Sequence, residues 1–240
     1  MGGAVARAVC RAVDPQNVVL ANRTPAKAQA LAAELGCRAA DNAGAAGCDF
    51  VFLAVKPQMM AGALADLVPV LDARRKAGER FVLVTMAAGL TMQRILEMAG
   101  GQGPVIRMMP NTPVALGAGM IQYCSAHVTE ADLAAWLEAM APAGRLDEVP
   151  ESLMDAASCV SGCGPAWAYQ FIEALADGGV AAGLPRAKAQ EYAAQMLLGS
   201  ARMVLESGQH PGALRTQCAA PAAPPSRACA CWKNGHSAAR

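Results

Sequence analysis

The sequence predicts an α/β fold: a doubly wound parallel sheet over the first part of the chain, followed by an all-helical segment. Two observations predict it. Up to about Asp147, short β-branched or apolar runs alternate with longer Ala- and Leu-rich stretches, the rhythm of β-α units that build a parallel sheet. Beyond Pro150 the strand-like runs stop and apolar residues recur at helical spacing. A third change, from about Thr216, is to Ala, Pro, Arg and Cys without helical or strand period. The expected organisation is therefore a sheet domain over 1–149, a helical domain over 150–215 and a tail over 216–240, mostly disordered.

Taken in order, strands are expected at 18–21, 50–55, 81–85, 105–109 and 120–123, with helices at 25–35, 59–71 and 91–98. Thr24 and Thr91 stand where N-caps belong. After Pro150 a helix is expected over 151–184, interrupted at Ser161-Gly162-Cys163-Gly164-Pro165, where two glycines and a proline favour a break. A second follows over 186–206, with Ala193, Leu197, Ala201, Val204 and Leu205 on one buried face. So small a helical half cannot close a generous core alone, and it is expected to dock on the sheet domain or on a second subunit.

Composition narrows the partners. With 20 basic and 19 acidic side chains, no electrostatic excess recruits nucleic acid or an anionic membrane surface. No apolar run reaches the roughly 20 residues that span a bilayer, and the start lacks the pattern of a secretory signal, so the cytoplasm is expected. The nine cysteines are odd in number and scattered, so most are expected to be reduced, buried small hydrophobes, and no metal site is expected.

Candidate site residues cluster at strand ends. Met1-Gly2-Gly3-Ala4-Val5 looks like the last part of a glycine-rich turn running into a helix, with Gly2 near a cofactor pyrophosphate. A strand and further glycines would normally precede it. Asn22, Arg23 and Thr24 follow the next strand, where such folds read the adenosine ribose; an arginine with amide and hydroxyl neighbours suits a 2′-phosphate, and equally suits a solvated helix start. Ala54, Val55, Lys56 and Pro57 end an apolar strand, and Ala87, Ala88 and Gly89 repeat the pattern with small residues that admit a ligand. Arg107-Met108-Met109-Pro110-Asn111-Thr112-Pro113 is a strand followed by a proline-stiffened loop bearing an amide and a hydroxyl, either a rigid turn or part of the site.

Taken together, Phe52-Leu53-Ala54-Val55-Lys56-Pro57, Met109-Pro110-Asn111-Thr112-Pro113, Ser161-Gly162-Cys163-Gly164-Pro165-Ala166, Glu173-Ala174-Leu175-Ala176-Asp177-Gly178-Gly179-Val180 and His210-Pro211-Gly212 resemble the pyrroline-5-carboxylate reductase family, from Met1 to about Arg215. The resemblance implies a Rossmann-like NAD(P)-binding domain and a helical dimerisation domain. It implies reduction of 1-pyrroline-5-carboxylate to L-proline, in proline biosynthesis, by hydride transfer from NADPH or NADH. By position, Asn22, Arg23 and Thr24 would meet the adenosine phosphate, Ala54 to Pro57 with Ala87 to Gly89 would line the dinucleotide, and Asn111 and Pro113 would lie near the nicotinamide. Ser161, Gly162, Cys163 and Gly164 would help shape the substrate pocket, Cys163 standing where the family usually has serine. No catalytic side chain is assigned.

The sequence also departs from that family. In place of a Ser-Pro-Gly-Gly-Thr-Thr loop after His-Pro-Gly stands Ala220-Pro221-Ala222-Ala223-Pro224-Pro225-Ser226-Arg227-Ala228. If Ser-Pro-Gly-Gly-Thr-Thr-Ile-Ala-Gly is encoded AGC CCC GGC GGC ACC ACC ATC GCG GGC, reading one nucleotide late yields that string. Residues 216–240 are therefore expected to be out of frame, with Cys229, Cys231 and His236 no zinc site, and this chain is expected to bind cofactor weakly and turn over little. Two rivals remain: a related hydroxyacid or imine dehydrogenase, whose catalytic lysine is missing from 152–183, and a non-enzymatic fragment that pairs with an intact homologue.

Overall fold

A computed structural model describes residues 1–218 and divides into two compact units, Met1–Pro165 and a helical unit from Ala166 onward. The tail residues 219–240, with Cys229, Cys231, His236 and the Ala220 to Ala228 string, lie outside the described residues.

The first unit opens with helix α1 (Gly2–Val9), then strand β1 (Val19–Leu20), helix α2 (Pro25–Leu35) and strand β2 (Arg38–Ala39). Helix α3 (Asn42–Ala45), strand β3 (Phe50–Leu53), helix α4 (Met60–Lys76), strand β4 (Val82–Thr85), helix α5 (Met92–Met98) and strand β5 (Val105–Met109) follow. Strand β6 (Gly119–Ala126), helix α6 (Glu130–Met140), strand β7 (Gly144–Glu148) and helix α7 (Met154–Ser161) complete it.

The strands form two sheets, a parallel pair β1-β2 and a five-stranded sheet in the order β3-β4-β5-β6-β7. The expected doubly wound α/β class holds. One pairing departs from the all-parallel expectation: β6 lies antiparallel to β5, with Met109 opposite Gln122. The short link after β5 explains this, since a parallel return needs a crossover of a dozen or more residues.

Alternation along the central strands sorts their side chains to two faces. Leu83 and Val105 face one core with Leu64, Leu67 and Leu71 of α4 and Ile95 of α5. Val82, Val84, Ile106 and Met108 face the other, with Val5 and Ala8 of α1 and Trp136 and Met140 of α6. Each face is therefore roofed by helices, the condition under which a mostly parallel sheet is stable. Trp136 is fully buried and lies against Tyr123, ring centroids 5.1 Å apart.

Helix caps differ from expectation at one point. Thr91 caps α5 by accepting from Arg94 N at 3.2 Å, whereas Thr24 holds the N-cap position of α2 with no side-chain bond. Asn22 Oδ1 takes up the Thr24 N–H instead, at 2.9 Å, in an Asx turn.

In the second unit, helix α8 (Gly164–Ala181) is followed by α9 (Arg186–Ser207) and α10 (Pro211–Cys218). The break at 162–163 falls inside the stretch where it is expected. Thr216, Gln217 and Cys218 are helical, a correction to the aperiodic tail expected from Thr216, because Pro211 starts a further helical segment that runs through them. The predicted buried face of α9 is also corrected: Ala189 and Ala193 are buried and Leu197 half-buried, while Ala201, Val204 and Leu205 are exposed. The cysteines depart likewise, since among those described only Cys124 is buried; all are free thiols.

Candidate functional site at the carboxyl edge of the sheet

Strands β3, β4 and β5 run parallel, so their carboxyl ends share one edge. That register brings Ala54, Val55, Lys56 and Pro57, then Ala87, Ala88 and Gly89, then Asn111 and Pro113 to the same side of the sheet. Ala54, Lys56 and Pro57 are exposed and Val55 is half-buried. Ala87 is buried and its N–H meets Thr85 Oγ1 at 3.3 Å, a bond that folds the chain at the end of β4. Ala88 and Gly89 stay exposed, and Gly89 has φ 73°, a left-handed conformation that costs glycine nothing.

The amino end of α1 reaches the same edge. A Cβ at Gly2 would stand 2.8 Å from the Ala54 Cβ, so only glycine lets the helix start this close to the end of β3. Free N–H groups at a helix start favour an anion by hydrogen bonding and by the helix dipole. Asn22, Arg23 and Thr24 follow β1 and are all exposed; among the described residues no ion pair engages Arg23.

Asn111 is bonded within the fold at both ends of its amide. It is buried, its Oδ1 accepts from Met120 N at 3.0 Å, and its Nδ2 donates to the Ser161 carbonyl at 3.0 Å. Both ends of the amide are thus committed to holding the loop after β5 against the end of α7. Ser161 is similarly committed: its Oγ lies 2.7 Å from Gln122 Oε1 and 3.1 Å from the Ala157 carbonyl. Gly162 and Gly164 are half-buried, and Cys163 is exposed.

Sequence reasoning missed the polar side chains beneath this edge. Gln122 is buried on β6. Arg107, at 2% exposure on β5, donates from Nη1 to Glu151 Oε1 at 3.2 Å and from Nη2 to Asp155 Oδ1 at 2.9 Å. Glu151 Oε1 also accepts from Met92 N at 2.7 Å. Arginine in an otherwise apolar strand was the available signal, since a buried guanidinium requires carboxylates elsewhere in the fold. Burial, and then the Glu151 charge, push the nearby Cys124 thiol up to about 11. These bonds fasten α7 to the sheet inside the first compact unit, Met1–Pro165.

Chemically, the edge offers a helix start, a cation on an exposed loop and small residues that admit a flat ligand. Among the described residues no group of three or more His, Cys, Asp or Glu side chains could hold a metal ion, and no helix is long and apolar enough to cross a membrane.

Comparison with known proteins gives the arrangement its family. The model for pyrroline-5-carboxylate reductase dimerisation matches residues 151–238, and that for NADP oxidoreductase, coenzyme F420-dependent, matches residues 1–88. The first match runs through tail residues that the frame-shift expectation assigns to another reading frame. A crystal structure of Plasmodium falciparum pyrroline carboxylate reductase with NADP bound is similar with a TM-score of 0.83 and 28% identity, over 99% of this chain and 86% of that one. Pyrroline-5-carboxylate reductase 3 of Xenopus laevis is 37% identical over 214 residues, 87% of this chain and 75% of its own length. The Escherichia coli (strain K12) pyrroline-5-carboxylate reductase is 36% identical over 210 residues, 86% of this chain and 76% of its own length. With such identity sustained over both halves of the fold, the chain belongs to the pyrroline-5-carboxylate reductase family.

Proposed function

We propose that this chain reduces 1-pyrroline-5-carboxylate to L-proline with NADPH or NADH, as a cytoplasmic homodimer paired through its helical unit. The observation that carries the proposal is the approach of the α1 start to Ala54, which puts a helix amino end, a glycine and the carboxyl ends of three parallel strands at one edge. The residues present fit a dinucleotide: a side chain at Gly2 would fill the approach, and the exposed Arg23 is available to a 2′-phosphate.

Gly2 and the α1 N–H groups would hold the pyrophosphate, and Asn22, Arg23 and Thr24 the adenosine ribose and its phosphate. Ala54, Val55, Lys56 and Pro57, with Ala87, Ala88 and Gly89, would line the dinucleotide. Bound there, the reduced nicotinamide supplies the hydride. A protonated cyclic imine is already an electrophile, so the chain's part is placement more than acid–base work. Asn111 serves that placement from within, by fixing the loop that carries Thr112 and Pro113, and Ser161 to Gly164 would border the substrate.

The test is loss of NADPH absorbance with 1-pyrroline-5-carboxylate, with proline identified as product. Two chains are compared, this one and a version whose residues from 216 are re-read in the other frame. Proline formation by this chain supports the proposal; formation only by the re-read chain overturns it for this chain, assigns the reaction to the fold and locates the impairment in the tail. Formation by neither overturns the proposal. Arg23→Ala is expected to raise the KM for NADPH about tenfold while leaving NADH little changed.

A further inference from the structure

We propose that Cys10 and Cys37 are a redox modification site, a dithiol that closes to an intramolecular disulfide and clamps α1 to α2. Two contacts lead up to it along the two helices. A Cβ at Gly3 would lie 3.3 Å from Leu31 Cδ2, Arg7 pairs with Glu34 through Nη1 and Nη2, and the next step along each chain is Cys10 and Cys37. Gly3, Arg7 and Cys10 follow at spacings of four and three, one face of a helix turning into its cap. Beyond the pair, Gln16 Nε2 donates to the Gly36 carbonyl at 2.7 Å, so the segment after α1 is tied to the residue before Cys37.

The backbone delivers both thiols to this point. Cys10 is the C-cap of α1, and Gly36, left-handed at φ 71°, ends α2 and turns Cys37 back with its N–H on the Ala32 carbonyl. Both side chains are partly exposed free thiols. Burial raises the Cys10 thiol first, and the Cys37 charge and a hydrogen bond to Cys37 raise it further, as expected of facing sulfurs.

The oxidant is a small-molecule disulfide such as oxidised glutathione. The Cys37 thiolate attacks one sulfur, forming a mixed disulfide and expelling one glutathione thiolate. Cys10 gives up its proton and attacks the Cys37 sulfur, expelling the second. One protein dithiol is oxidised and one disulfide is reduced to two thiols. In a reducing compartment the dithiol form prevails, and closure reports an oxidising shift.

The experiment uses the full chain, incubated with oxidised glutathione, alkylated, digested with trypsin without reduction and read by mass spectrometry. The expected product joins peptides 8–11 and 28–38, and it disappears after dithiothreitol. Recovery of Cys10 and Cys37 only as separate glutathione or alkyl adducts would overturn the proposal, as would linkage of Cys37 to Cys48 instead. In Cys10→Ser, Cys37 is expected to stop at the mixed disulfide; because the linked peptides are sought in the unsubstituted chain, a poorly folding variant does not decide the matter. The oxidised chain is also expected to melt several degrees higher, on the order of 5 °C, than the reduced one. Linkage without that rise would refute the clamp.

Discussion

The two compact units handle apolar side chains in opposite ways. In the first, large residues such as Trp136, Met60, Leu64 and Ile106 are fully buried between sheet and helices. In the second, the buried residues among those described are small, Ala176, Ala189 and Ala193, while Trp167, Tyr169, Tyr192, Leu198 and Leu205 are exposed. A layered unit with a two-faced sheet closes its own core; a run of amphipathic helices leaves its apolar stripes open. On the proposed homodimer this open surface is what a second copy would cover, and the match to a dimerisation family from residue 151 accords with that.

The same substitution made in both units tests this contrast most strongly. Trp136→Ala is expected to cost about 4 kcal/mol in urea denaturation, whatever the protein concentration. Trp167→Ala is expected to leave the unfolding of the sheet unit within about 0.5 kcal/mol and to weaken self-association about tenfold or more by sedimentation. Equal losses from the two would break the comparison.

A smaller effect sharpens it at the seam after β7. Gln122→Leu removes the shorter of the two acceptors of the Ser161 hydroxyl and is expected to cost about 1 kcal/mol. Because Ser161 also holds Asn111, the KM for substrate should rise while the melting of the helical unit stays unchanged.

Next in size is the chemistry of Cys124. Its folded pKa of about 11 lies above the ordinary 9.0, so the neutral thiol favours the fold below about pH 9, and that contribution is lost as pH rises toward 11. Iodoacetamide is therefore expected to modify the buried Cys124 slowly until the pH approaches 11. Early modification of Cys124 would mean that its burial is transient.

The smallest effect is expected at the surface. Arg7, chiefly by hydrogen bonding, holds the Glu34 carboxyl below its ordinary 4.5. The pair contributes above that value, and its contribution is lost as pH falls through the lowered pKa. Both side chains are exposed, so Glu34→Gln should flatten the acid limb of a Tm profile only slightly, and added salt should erase the difference.

How much was legible from residues alone follows from what each position buries. The central strands announce themselves because 50–55, 81–85 and, Arg107 apart, 105–109 are largely apolar on both faces. Strand β2, Arg38–Ala39, is exposed at both positions, and β7 is Gly-Arg-Leu-Asp-Glu, an edge strand with little to bury; neither carries an apolar run to find. The reversal of β6 was within reach, since the link after Met109 is too short for a crossover, but apolar pattern alone carries no strand direction. At the site, strand ends could be placed by topology, whereas the inward bonds of Asn111, Gln122 and Arg107 depend on partners far along the chain.

The antiparallel return of β6 bears on the order of assembly. Met109 and Gln122 are nearer in sequence than partners in any other strand pairing among the described residues. Loop-closure entropy therefore penalises β5-β6 least, and this hairpin is the pairing best placed to nucleate the five-stranded sheet. Asn111 spans its loop by accepting from Met120 N. A substitution there should slow folding through the lost loop bond and speed unfolding through the lost bond to Ser161, so the loop that borders the site would also set the pace at which the protein forms.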